Sequence, residues 1–129
     1  MADTVSSLVI VNGPIKLVEK FQNKSDATGE SAVTKINLSN LKNYNGVAPA
    51  SVNIYKIEYD IQGMKVQIIA NGTTPVVLAT LGGFGCLDYS EGAGLNSANA
   101  GTNGGNIQFT TIGAASNSTY DITLYCQIK

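Results

Sequence analysis

Residues 53–61 read NIYKIEYDI, and residues 64–70 read MKVQIIA. In the first run Tyr55, Ile57, Tyr59 and Ile61 alternate with Lys56, Glu58 and Asp60. In the second, Met64, Val66 and Ile68 alternate with Lys65 and Gln67. Strict period-2 alternation is the signature of an antiparallel strand with one face buried and one in water. Gln62-Gly63 lies between the runs, and two alternating runs joined at a glycine predict a β-hairpin. On that reading Tyr55 and Tyr59 face inward and belong to the core. Next comes NGTTP (71–75), whose Asn-Gly is a strong turn signal, leading into a further strand, VVLATL (76–81).

The same pattern extends to both ends of the chain. YDITLYCQI (120–128) sets Tyr120, Ile122, Leu124, Cys126 and Ile128 on one face and Asp121, Thr123, Tyr125 and Gln127 on the other. NIQFTTI (106–112) precedes it, and GAASNS (113–118) reads as the turn of a second hairpin spanning 106–128. KLVEKFQN (16–23) and AVTKINL (32–38), joined by KSDATGES (24–31), predict a third pair. Only residues 38–50 have helical character, and Gly46 and Pro49 limit it to a turn or two. No internal repeat and no domain boundary interrupts residues 1–129. The expected fold is all-β: a single antiparallel β-sandwich or jelly-roll-like domain of about eight strands.

Composition narrows the function. The chain has 129 residues, a net charge of −1 and 13% charged residues, about half the usual ~25%. It has no His, no Trp and no Arg, all eight basic residues being Lys. Without His there is no Ser-His-Asp or Cys-His nucleophile and no common catalytic zinc site. Without Arg or a basic field, nucleic-acid binding is disfavoured. The start, MADTVSSLVIVNGP, has no positive n-region and only four apolar residues in a row, Leu8 to Val11. That predicts neither signal peptide nor membrane span, and synthesis in a cytoplasm. Cys86 and Cys126 show no CxxC spacing and read as two small buried apolar residues, with a disulfide between them disfavoured in that compartment. The expectation is a protein without enzyme activity and without a cofactor or metal.

Four features invite a sharper reading. GAGLNSANAGTNGG (92–105) shares two glycines with a dinucleotide fingerprint, but Ser97 stands at the third and no helix follows. Only a single hairpin follows it, so it is not a linker between domains; a partner-contacting loop and a functionless excursion both fit. SDATGE (25–30) brings Asp26 and Glu30 into one loop, as a Ca²⁺ site would, yet lacks alternating acidic spacing and fits an Asx-type turn. Asp88 and Glu91 in DYSE (88–91) could pair for glycosidic chemistry, but no Trp platform accompanies them. Tyr125 falls on the outer face of its strand, where a subunit contact or a lone surface tyrosine are the alternatives. A neutral surface with little self-repulsion suits many-copy assembly.

Three stretches carry a resemblance: NKSDATGESAVTKINLSNL (23–41), IYKIEYDIQGMKVQIIANGTTPVVLATLGG (54–83) and GGNIQFTTIGAASNSTYDITLYCQIK (104–129). They resemble small virion structural proteins of tailed bacteriophages, similar to capsid decoration (cement) proteins. Asn106 stands where that group more often has Asp. The resemblance implies a protein on the outer surface of a virion capsid. Its partners would be the major capsid protein and further copies of itself, as a homotrimer at threefold positions, with no nucleic acid and no membrane. It would tie subunits together by summing many weak contacts. Within this sequence the expected contacts are two segments and one side chain. Residues 2–12 would form an arm, with Val5, Leu8 and Ile10, adding to a neighbouring sheet edge. The 92–105 loop, with Gly92, Gly94, Leu95, Asn99 and Gly101, would meet its symmetry mates, and Tyr125 would lie in an interface. Alternative readings are a phage tail or head–tail adaptor subunit, which would form larger rings, and a carbohydrate-binding or adhesive β module, which would show exposed aromatic platforms.

Overall fold

The hairpin expected at 53–70 is one continuous strand in the computed structural model, which describes residues 4–12, 16–26, 29–41, 45–49, 51–89, 95–96 and 106–128. In chain order the strands are β1 (Thr4–Asn12), β2 (Lys16–Asp26), β3 (Val33–Ile36), β4 (Val52–Ala70), β5 (Val76–Asp88), β6 (Leu95–Asn96), β7 (Ile107–Ile112) and β8 (Ser116–Ile128). The helical character near 38–50 amounts, among the described residues, to one 3₁₀ turn, Leu38–Asn40, capped where the Asn37 carboxamide oxygen accepts from the Ser39 N–H. The fold is all-β, with every pairing antiparallel, in a single sheet curled into a half-barrel. One sheet folded over on itself does here what two stacked sheets do in a sandwich.

β4 organises that sheet. Along one edge it pairs first with β8, from Val52↔Ile128 to Gln62↔Thr119, and then with β7, from Lys65↔Ile112 to Ala70↔Ile107. Along the other edge it pairs with β6 and β5, and the NGTTP turn closes the β4–β5 hairpin as the sequence predicts. β7 and β8 therefore run end to end beside β4. They do not form the hairpin expected at 106–128. Nor do 16–23 and 32–38 pair: β2 lies between β1 and β8, whereas β3 pairs with β7 at the opposite end of the sheet. The full order is β1-β2-β8-β4-β7-β3, with β5 and β6 on the free side of β4.

Two irregularities let β4 serve both halves. Opposite β8 the register shifts between Ile54 and Lys56, so Tyr55 is an extra residue. A bulge of this kind sets two consecutive side chains on one face. Inward positions thereby change from Val52 and Ile54 to Ile57, Tyr59 and Ile61. The second change comes at Gln62-Gly63, after which Met64, Val66, Ile68 and Ala70 face inward. Gly63 has φ +78, a left-handed conformation, and a Cβ there would stand 2.8 Å from Ser118 Oγ. Ser118 Oγ instead donates to the Gly63 carbonyl at 3.1 Å. This is a bend, and it brings the two halves of the sheet face to face.

The inner faces meet in one core. Leu17 and Phe21 of β2, Ile54 and Ile57 of β4, and Ile122 and Leu124 of β8 pack with Val66, Ile68, Leu81, Ile107 and Phe109. Phe109 stacks edge-on against Phe21 (5.3 Å between centroids) and Tyr120 (5.7 Å), which bridges the halves. Cys126 is buried there, and burial pushes its thiol up to about 12. Cys86 does not share that environment: it is exposed on β5, and both cysteines are free thiols.

Candidate interaction surface

Of the segment 2–12 expected as an arm, residues 4–12 form β1 and lie in the chain's own sheet. β1 pairs with β2 over eight positions, from Thr4↔Lys24 to Asn12↔Leu17, and is the terminal strand of its own sheet. Its nine residues, TVSSLVIVN, carry no charge. Leu8, Val9 and Ile10 are 62%, 48% and 54% exposed. Edge strands usually carry a charge, a proline or a cover that prevents another strand from adding. Here the one interruption is the register shift between Val9 and Val11. Val5 lies on the same strand, and its side chain is outside the described residues.

The opposite end of the sheet is the four-residue β3, with Val33 39% exposed. Ser6 and Ser7 of β1 and Val33, Thr34 and Lys35 of β3 flank an open seam of ≈290 Å³ over Phe21. The half-barrel is therefore open between its first and last strands.

Of the 92–105 loop, Leu95 and Asn96 form β6 and pair with Ile54 and Asn53. Leu95 is half-buried against the core, so it anchors the loop to β4. Gly92, Gly94, Asn99 and Gly101 lie outside the described residues.

Tyr125 faces outward and joins a cluster that the alternation alone does not reveal. The Tyr55 bulge brings its ring outward, 6.2 Å from Tyr125, so Tyr55 is not a core residue. Lys56 Nζ stands 5.1 Å over the Tyr125 ring, and Lys16 Nζ stands 5.9 Å over Tyr55. Tyr125 Oη donates to Glu58 Oε1 at 2.6 Å, and Lys56 pairs with the same carboxylate at 3.5 Å. The Tyr125 hydrogen bond, with the Lys56 charge adding to it, holds the Glu58 carboxyl below the usual carboxylate range. The same bond raises Tyr125. Glu58 is exposed and Lys56 and Tyr125 are half-buried at the surface, so the cluster orients Tyr125 more than it stabilises the fold.

The SDATGE loop holds no cation through Glu30. Glu30 is buried, and its carboxylate is taken up by Lys35 Nζ at 2.5 Å and by Tyr120 Oη at 2.5 Å. Both ion-pair side chains are about 5% exposed or less. Its backbone is fixed as well: Glu30 N donates to Thr111 Oγ1 (2.8 Å), and Thr111 N donates to the Glu30 carbonyl (2.9 Å). This cluster joins β3, β7 and β8 from within. Asp88 is exposed at the end of β5, and Glu91 lies outside the described residues. Among the described residues no group of His, Cys, Asp or Glu is placed to hold a metal, and no helix is long and apolar enough to cross a membrane.

Two depressions on the outer face escaped the sequence reading. One, ≈450 Å³, lies between Phe84 of β5 and Asp121 of β8, with Asp60 and Gln62 of β4 on its floor. The other, ≈370 Å³, shares Asp60, Gln62 and Asp121 and continues past Gln22 of β2 to Ser6 of β1. Phe84 is 81% exposed. Comparison with protein-family models, with curated proteins and with solved structures finds no match.

Proposed function

We propose that this chain is a structural virion protein that decorates a phage capsid, binding at subunit junctions on its outer surface and stabilising the lattice. The observation that carries this reading is β1, a nine-residue edge strand without charge and with Leu8, Val9 and Ile10 exposed. Such an edge accepts a strand from a neighbouring chain through main-chain hydrogen bonds, with apolar side chains supplying area on either side. The partner at this edge is the major capsid protein. Copies of the chain associate as homotrimers, and each trimer contributes several weak edges, so lattice binding gains by multivalency. A ligand that binds only the assembled lattice stabilises it by mass action. The resemblance of residues 23–41, 54–83 and 104–129 to decoration proteins supports the same reading.

The test is cryo-electron microscopy of purified virions of the phage that encodes the chain. The expected result is density for the half-barrel on the outer capsid surface, at threefold positions, with β1 against a capsid strand. Location in the tail or neck, or absence from the virion, overturns the proposal.

A further inference from the structure

The two outer-face depressions are one groove, because Asp60, Gln62 and Asp121 line both. The groove crosses the strands rather than following one. It runs from Phe84 on β5 over β4, β8 and β2 to Ser6 on β1, four strand spacings or about 19 Å at ~4.8 Å each. Its floor is a chain of oriented polar side chains. Ser6 Oγ donates to Gln22 Oε1 (3.3 Å), Gln22 Nε2 to Asp121 Oδ2 (3.4 Å), and Gln62 Nε2 to Asp60 Oδ1 (3.2 Å). Lys20 Nζ holds Asp121 from one side at 3.2 Å. At one end stands an aromatic ring in water. Gly83, at φ +71, precedes Phe84, and the ring sits directly across from Asp60.

We infer that this groove binds a neutral oligosaccharide. Three features select that class. The carboxylates and carboxamides accept and donate to hydroxyl groups, and rigid strands hold them in place. The exposed Phe84 face offers apolar area for the C–H face of a sugar ring. Asp60 and Asp121 lie directly opposite each other, and Lys20 pairs with Asp121. A polyol donates hydrogen bonds to both without adding charge. Glu58, Asp60 and Asp121 line the Phe84 end with no lysine among them, so a polyphosphate is repelled there. A peptide strand would need unpaired main-chain groups, which a sheet presents at an edge and not across its face. The groove meets the decoration edge only at Ser6 of β1; its other lining residues lie on β2, β4, β5 and β8.

The experiment is an NMR titration of the isotope-labelled full chain with cellohexaose, maltohexaose and chitohexaose separately. Expected are saturable shifts at Gln22, Asp60, Gln62, Phe84 and Asp121 with at least one of them. Phe84→Ala weakens that binding about tenfold or more while the circular dichroism melt stays unchanged, since the ring is exposed. Asp60→Asn weakens it without loss of fold. No shift with any of the three, shifts elsewhere, or binding unaffected by Phe84→Ala overturns the proposal. Salt-sensitive binding of a tetralysine peptide in place of the sugars also overturns it, and assigns the groove to a basic protein partner. Capsid binding by the Phe84→Ala chain separates failure here from failure of the decoration reading.

Discussion

Glu30 and Lys35 bury their charges together beneath the rings of Phe109 and Tyr120. Lys35 arrives there because β3 shifts register between Thr34 and Ile36, making Lys35 the extra residue. Removing one partner strands the other charge in the core, which costs about 3–5 kcal/mol. Glu30→Ala and Lys35→Met should each lower stability by that order in urea unfolding, and Glu30→Leu with Lys35→Met should cost less than either. Glu19 shows the opposite balance. It faces the core side of β2, across from Leu124, and burial raises its carboxyl above the usual carboxylate range. A raised carboxyl favours folding only while protonated, so its ionisation destabilises the native state as pH rises through that range. Glu19→Gln should therefore raise the melting temperature at neutral pH, with the gain vanishing in acid. The burial of Glu30 and Lys35 is not legible in the sequence. Glu30 sat in a loop rich in turn residues, and the bulge that buries Lys35 leaves no mark in VTKI.

At the scale of the element, the alternating patterns were good guides to faces and poor guides to pairing. The inward sets of β8 and of Met64, Val66 and Ile68 are as the periodicity predicts. Tyr55 is the exception, because one extra residue reverses every side chain before it relative to those after it. The β4–β5 hairpin forms as expected, and the expected pairings that failed did so because the actual ones are non-local. Gly63 has the composition of a hairpin turn, yet β4 only bends there, and its 19 residues are long enough to take β7 and β8 in series. Gly63→Ala tests the bend. It places a Cβ 2.8 Å from Ser118 Oγ at a left-handed φ, and should cost roughly 1–3 kcal/mol. Tyr125→Phe should move the Glu58 titration upward, read at its carboxyl carbon by NMR. Glu58 stabilises above the usual carboxylate range and loses that contribution as pH falls through its lowered value.

The whole molecule is a half-barrel whose described sheet has three edges, β1, β3 and β5, and β1 is the uncharged one with the apolar run. β1 is long, uncharged and apolar; β3 is four residues and lies across the seam from it. The apolar run Leu8 to Val11 reads in the sequence as part of an arm that adds to a neighbouring sheet edge. It stays because β2 offers it a full edge, and it remains available because nothing else in the described chain covers its other side. The groove on the outer face was invisible for a related reason: Phe84, Asp60 and Asp121 come from three strands that only the folded sheet aligns. The most direct test of assembly through β1 is occupancy of purified, expanded heads of the encoding phage, by wild type and by Leu8→Glu/Ile10→Lys. Both positions are exposed and Leu8→Glu sets a carboxylate across from Lys20, so the variant should melt within about 0.5 kcal/mol per site of wild type. The account predicts that wild type saturates the heads and the variant does not bind. Equal occupancy by the two proteins would contradict it.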